Sequence, residues 1–135
     1  MTKIDFTSKL QENPMGVMAT QDGACSKTRM FQFLFAENEK VFFCTNSEKS
    51  VYQQIINNDN VSFCTHGNDY TSSIAISGKA IFIDDKNIKE KVLAENPMIQ
   101  NIYQSADNPI FKIFYIDVKY IEQFDFVNGT VINEL

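Results

Sequence analysis

The stretch "SKTRMFQFLFAENEKVFFCTNSEKSVYQQI" (residues 26–55) contains two strand patterns and the start of a helix. Side chains of a strand alternate between its two faces, so the first predicted strand, 25–36, places Arg29 on the same face as Phe31 and Phe33. The polar segment "ENEK" (37–40) predicts a turn, and the apolar run after it predicts a strand that ends at Thr45. Val51 and Ile55 then have helical spacing. The stretch therefore predicts a β-hairpin that leads directly into a helix.

The segment that joins this strand to the helix, "TNSEKS" (45–50), is rich in hydrogen-bonding groups. The first N–H groups of a helix have no internal partner and carry partial positive charge, so a helix start favours anions. Thr45, Ser47 and Ser50 would add hydroxyl donors, and Lys49 would add a full charge. The segment is either a phosphate-binding turn or an ordinary helix start, in which Asn46 or Ser47 caps the helix and Lys49 lies in water.

The rest of the sequence predicts mostly strands that follow one another through turns. Strands are expected over 15–20, 61–66, 70–83 and 110–126, the last as one or two strands, with a bulge at Gly78. Short helices are expected over 5–12, 84–96 and 98–104. This order predicts a mainly β protein, a six- to seven-stranded antiparallel β-barrel with peripheral helices, in a single domain over residues 1–135.

Composition narrows the range of partners and compartments. The net charge of −5 argues against nucleic acid and anionic membranes, which require a basic surface. No stretch approaches the ~18 uninterrupted apolar residues of a membrane span, and the first residues lack the apolar core of a signal peptide. Cys44 and Cys64 lie in apolar runs, and no cysteine pair has metal-ligand spacing, so we expect buried free thiols in a reducing cytoplasm.

The sequence lacks the common motifs of catalysis. It has no dinucleotide fingerprint, no phosphate-binding P-loop, no nucleophile elbow and no predicted metal site, and His66 is the only histidine. No pair of side chains indicates acid–base chemistry, so no catalytic side chain is predicted and an enzyme of this sequence would depend on a cofactor. Arg29, the only arginine, lies next to the predicted phosphate turn, where its planar guanidinium would suit a phosphorylated ligand.

The order of these segments resembles the pyridoxamine 5′-phosphate oxidase-like family of FMN-binding split β-barrels. The resemblance rests on five segments: "KTRMFQF" (27–33), the strand end "FCT" (43–45), the turn "NSEKS" (46–50), the helix "VYQQI" (51–55) and the strand "VSFC" (61–64). It covers the chain from about Gly16 to Phe126.

The resemblance implies a homodimer that binds FMN in the clefts between two barrels. Along the isoalloxazine ring, mainly through backbone groups, would lie Arg29, Met30, Phe31 and Gln32. Around the phosphate would lie Thr45, Asn46, Ser47, Lys49 and Ser50. Gln53 or Gln54 would reach the ligand from the helix, and the partner would add contacts from its C-terminal strands.

The resemblance also implies an FMN-dependent oxidoreductase that passes electrons from a reduced nicotinamide to a small acceptor. The namesake enzymes grip their substrate's phosphate with a basic C-terminal extension, whereas nothing basic follows Lys119 here, so oxidation of pyridoxamine phosphate is not expected. Shorter members of the family include flavin, quinone and nitro-group reductases. The alternatives are a non-enzymatic flavin-binding or storage protein, and a small barrel that carries another cofactor, such as haem or a deazaflavin, or an apolar ligand.

Overall fold

The computed structural model describes residues 5–67 and 70–135, which form eight β-strands and four α-helices. The strands are β1 (Met15–Asp22), β2 (Cys25–Gln32), β3 (Phe35–Glu37), β4 (Lys40–Asn46), β5 (Asn60–His66), β6 (Ser72–Ile83), β7 (Phe111–Asp125) and β8 (Gly129–Glu134). The helices are α1 (Phe6–Glu12), α2 (Ser50–Asn57), α3 (Lys86–Glu95) and α4 (Pro97–Tyr103). None of the helices in these ranges is long and apolar enough to cross a membrane.

The strands form one antiparallel sheet in the order β2-β1-β5-β6-β7-β4-β3, with β8 added to β7. Only two residues, Phe33 and Leu34, separate β2 from β3. Their backbone N–H groups form hydrogen bonds with two different parts of the chain. The N–H of Phe33 donates to the carbonyl of Pro14 (2.7 Å), whereas the N–H of Leu34 donates to the carbonyl of Phe42 (3.1 Å). The segment β2–β3 therefore joins β1 to β4 and closes the sheet into a barrel.

The predicted fold class, a mainly β antiparallel split barrel, is confirmed, but the barrel has more strands than the predicted six or seven. The segment predicted as one strand over 25–36 becomes two strands because its pairing partner changes at Phe33. The segment predicted as one or two strands over 110–126 is the single long strand β7. The eighth strand, β8, follows the turn at 127–129 and was missed, because six largely polar residues near the chain end give a weak strand pattern.

Two apolar clusters hold the elements together. The barrel interior includes the fully buried rings of Phe43, Phe63 and Phe114, with centroids 4.8 and 5.5 Å from Phe43. Burying each such side chain contributes ~1.5–3 kcal/mol. A second cluster lies outside the barrel, where α3 and α4 cover the outward side chains of β4 and β7. This second cluster holds α4 beside the end of β4.

The cysteines are free, but the expectation that both Cys44 and Cys64 are buried is wrong for Cys64. Cys64 is exposed, because the alternation along β5 turns it away from the barrel interior, opposite Phe63. Cys44 is half-buried, because the second cluster packs against its side of β4.

The predicted interruption at Gly78 is a change of register between β6 and β7. The pairing shifts between Ser77 and Gly78. A Cβ atom at residue 78 would collide with the backbone oxygen of Asp117, which cannot move without displacing β7. Glycine is therefore required here by the close approach of two backbones.

We expect Gly78→Ala to lower the free energy of unfolding by about 1–3 kcal/mol, the usual result of forcing extra volume into a packed site. Chemical denaturation of both proteins measures this difference. Gly23→Asn is the matched control, because a side chain at residue 23 meets no atom within 4 Å and asparagine tolerates the positive φ of 60°. Equal stabilities of Gly78→Ala and the unmodified protein would contradict this explanation of the bulge.

Candidate functional site

The turn between β4 and α2 uses its polar groups for its own geometry and leaves the start of α2 uncapped. The N–H of Glu48 donates to Asn46 Oδ1 (2.8 Å), and the N–H of Ser47 donates to the carbonyl of Ile110 (2.9 Å). Lys49 occupies the cap position of α2, and its side chain makes no capping hydrogen bond. The ordinary helix start, with Asn46 or Ser47 as the cap, is therefore not what the structure contains.

A cavity of about 310 Å³ lies between this turn, β2 and α4. Five of its lining residues belong to the predicted site: Met30, Phe31, Gln32, Thr45 and Lys49. The other lining residues are Met15, Leu34, Cys44, Ile99, Ile102 and Tyr103. The fold thus brings part of β2 and part of the polar turn to one site, with α4 as an additional wall.

One end of this cavity carries unused hydrogen-bonding capacity and a positive charge. Thr45 is 3% exposed, and its hydroxyl has no hydrogen-bond partner in the described chain. Leaving such a buried group unpaired costs ~1–3 kcal/mol, and native proteins rarely tolerate it without a reason. Lys49 forms no ion pair with any residue in 5–67 or 70–135. Together with the uncapped N–H groups of α2, these side chains make an end that suits an anion.

The rest of the cavity lining is uncharged and mainly apolar. Met30 and Ile102 are exposed side chains, and Ile99 and Leu34 line the cavity with them. Burial raises the pKa of the Cys44 thiol to about 12, against the smaller, opposing effect of the positive charge of Lys49. Burial, followed by the proximity of Cys44, raises the pKa of Tyr103 to about 12. Both groups therefore stay neutral at physiological pH, and this part of the lining suits a flat, apolar ligand.

Several predicted site residues point elsewhere. Asn46, Ser47 and Ser50 belong to the same turn as Lys49 but do not line the cavity. Gln53 lies on the exposed side of α2, where its Nε2 donates to Asn57 Oδ1 (3.0 Å).

Arg29 also lies outside the cavity lining. Its side chain turns under α2, where Nη1 donates to Thr20 Oγ1 (2.8 Å) and Nη2 donates to Gln54 Oε1 (2.7 Å). The guanidinium is therefore occupied by groups of the chain itself.

Half of the lining residues that the sequence analysis missed come from α4: Ile99, Ile102 and Tyr103. A short helix over 98–104 was predicted, but its position depends on the pairing of β4 with β7, which no local pattern reveals. Alternation along β4 places Cys44 on the opposite face from Thr45, so the strand pattern gives no sign that both residues line one cavity.

His66 belongs to a different part of the molecule. It lines a separate cavity with Lys9, Glu12 and Ser72, and its ring stacks on Tyr70 with centroids 4.4 Å apart. The cavity beside Lys49 therefore contains no imidazole that could ligate a haem iron. Within the described ranges, no three His, Cys, Asp or Glu side chains converge to hold a metal ion.

A closed antiparallel barrel with helices packed on its outside defines the class of this protein, a split β-barrel. The sequence matches the family described as "Pyridoxamine 5′-phosphate oxidase like" over residues 2–130. The chain belongs to this family, which confirms the resemblance found in the sequence. A comparison with curated proteins gives no match.

Solved structures with the same fold span nearly the whole chain. A NimC/NimA family protein from Clostridium acetobutylicum has a TM-score of 0.84 and 25% identity, covering 95% of this chain and 91% of that one. General Stress Protein 26 from Bacillus anthracis has a TM-score of 0.79 and 20% identity, covering 96% and 95%. A pyridoxamine 5′-phosphate oxidase-related, FMN-binding protein from Nostoc punctiforme has a TM-score of 0.65 and 13% identity, covering 100% and 99%. The barrel and its helices are therefore shared by proteins of quite different sequence.

Proposed function

We propose that this protein is an FMN-dependent oxidoreductase that passes electrons from a reduced nicotinamide to a small acceptor. The observation that carries the proposal is that the buried hydroxyl of Thr45, which has no hydrogen-bond partner among the described residues, lines the same cavity as Lys49, at the start of α2, where no side chain caps the helix. This arrangement suits the phosphate of a ligand whose apolar ring lies along the rest of the cavity. Membership of the family and the FMN-binding relative from Nostoc punctiforme support the choice of FMN.

Each part of FMN has a matching part of the chain. Thr45, Lys49 and the first N–H groups of α2 would hold the phosphate, with Ser47 and Ser50 in the same turn. The ring would lie along Met30–Gln32. Among the described strands, β2 is hydrogen-bonded only to β1, so the backbone groups of its other edge are available to the polar edge of the ring.

The chemistry in this proposal comes from the cofactor, and the chain provides binding and environment. When bound, FMN would supply this chemistry as the group that takes up hydride and gives up electrons in one or two steps. Cys44 and Tyr103 stay protonated and neutral beside it, so no lining side chain is required as an acid or base. Ile99, Ile102 and Met30 would exclude water from one side of the ring.

We also propose that a second copy of the chain completes the cavity. Ligand pockets usually measure ~300–1,000 Å³, so one chain supplies only a small, open site. The outward face of β1, β5 and β6 next to Met30 has mostly small uncharged side chains, with Val17 39% exposed at its centre. A face with few charges and small side chains is suited to contact with a partner subunit.

We expect the purified protein to bind FMN and to prefer it over riboflavin, which lacks the phosphate. Lys49→Met should weaken FMN binding about tenfold to a hundredfold and leave riboflavin binding unchanged, because a hydrogen bond to a charged group contributes ~1.5–3 kcal/mol. Quenching of flavin fluorescence measures both affinities. Lys79→Met is the control, since Lys79 pairs with Asp59 on the surface, outside the cavity lining. An unchanged affinity of Lys49→Met for FMN would contradict the proposal that Lys49 binds the phosphate.

We expect NADH or NADPH to reduce the bound flavin under anaerobic conditions, and a quinone to reoxidise it. Bleaching and recovery of the visible flavin absorbance measure the two half-reactions. Firm retention of flavin with no bleaching by either nicotinamide would instead support the flavin-storage function.

We expect the protein to sediment as a dimer at micromolar concentration. Val17→Asp should produce monomers with weakened FMN binding, because it places a charge at the centre of the proposed interface. Ile81→Asp is the matched control, since Ile81 is also 39% exposed but lies beyond the bulge on β6. A monomeric unmodified protein that still binds FMN would contradict the shared cavity.

A further inference from the structure

Three polar side chains form a closed hydrogen-bonded triangle beneath α2. Arg29 of β2 donates from Nη1 to Thr20 Oγ1 (2.8 Å) and from Nη2 to Gln54 Oε1 (2.7 Å). Thr20 donates to the same oxygen of Gln54 at 2.7 Å. Thr20 and Gln54 are both buried, with 1% and 8% exposure. The triangle therefore links two barrel strands to the helix from inside the protein.

The guanidinium of Arg29 forms hydrogen bonds within this triangle, although the triangle contains no carboxylate to pair with its charge. Its other acceptors are the carbonyls of Met18 (3.1 Å) and Lys27 (3.3 Å), and no carboxylate of the described residues forms an ion pair with it. A partly desolvated charge is tolerated only when its hydrogen bonds are well made. The rigid guanidinium fork can hold Thr20 and Gln54 at the same time, which an ammonium group cannot do in the same geometry.

Among the described residues, the triangle contains the side-chain hydrogen bonds that join α2 to the strands of the barrel. Val51 and Ile55 pack α2 onto the barrel core, but apolar contacts are non-directional and tolerate small rotations of a helix. Gln54 lies five residues after Lys49, about 7.5 Å along the helix axis. A rotation of α2 that breaks the bond between Gln54 and Arg29 would also move Lys49 and the first N–H groups of α2 relative to the end of β4.

We infer that Arg29 is a positioning residue, which acts through Gln54 to hold the start of α2 against Thr45 and does not itself bind the phosphate. The inference rests on the proposed FMN function and deepens it. It assigns the only arginine of the chain to the alignment of the phosphate site, where the sequence alone suggested direct contact with the ligand.

The test compares FMN with riboflavin in a double-mutant cycle of Arg29→Met and Gln54→Met. The ratio of the two affinities reports on the phosphate alone, so a general loss of folding would lower both affinities and leave the ratio intact. We expect each single substitution to reduce the ratio of FMN affinity to riboflavin affinity about tenfold. The riboflavin affinity itself should stay within about twofold of that of the unmodified protein. Because both residues act through one bond, the double variant should be no worse than the singles.

Arg29→Lys separates positioning from direct charge contact. A lysine keeps the positive charge but cannot hold both acceptors, so we expect its affinity ratio to match that of Arg29→Met. A ratio preserved by lysine, or one lowered by Arg29→Met but unchanged by Gln54→Met, would overturn the inference. If Arg29→Met does not fold, the tenfold effect expected of Gln54→Met alone decides the question.

Lys49→Met distinguishes this inference from the proposed function. If the unmodified protein prefers FMN and Lys49→Met abolishes that preference while Gln54→Met does not, only the positioning role fails. If the unmodified protein shows no preference for FMN over riboflavin, both proposals fail.

Discussion

The change of partner between Phe33 and Leu34 is the constraint on which the rest of the structure depends. Two adjacent N–H groups donate to carbonyls on different sides of the barrel, those of Pro14 just before β1 and of Phe42 in β4, so one continuous segment belongs to both sides. Buried backbone groups must be paired, and this arrangement pairs them while leaving one edge of β2 without a strand neighbour. The candidate site lies where that free edge, the end of β4 and the start of α2 meet.

The proposed cofactor site also illustrates how a binding function can reduce the stability of a fold. Thr45 has the backbone position of a core residue on β4, on the same side as Val41 and Phe43, which are fully buried. A valine there would fit the barrel interior without an unpaired hydroxyl. A threonine is understandable here if its hydroxyl forms a hydrogen bond with the proposed ligand when that ligand is bound. The same ligand would explain why no side chain caps the start of α2.

Elements with a clear local pattern were predictable from the sequence. Alternation identified the inward residues of β5, and the glycine within an apolar run identified the bulge on β6. The site was predictable only in part, because local patterns locate Thr45 and Lys49 on one turn but do not reveal which other elements surround them. The wall formed by α4 depends on the pairing of β4 with β7 across more than sixty residues of chain. The direction of Arg29 depends on Thr20 and Gln54, which alternation does not bring together.

The free edge of β2 has a consequence for the behaviour of the protein without its ligand. An unpaired strand edge is a template for pairing with another chain, and proteins protect such edges with charges or by covering them. The first five residues of β2 include Lys27 and Arg29, whereas its last three residues, Met30–Gln32, have no charge. A ligand or partner subunit seated along these last three residues would shield the part of the edge that lacks this protection. Occupancy of the site would then bear on resistance to aggregation as well as on the proposed electron transfer.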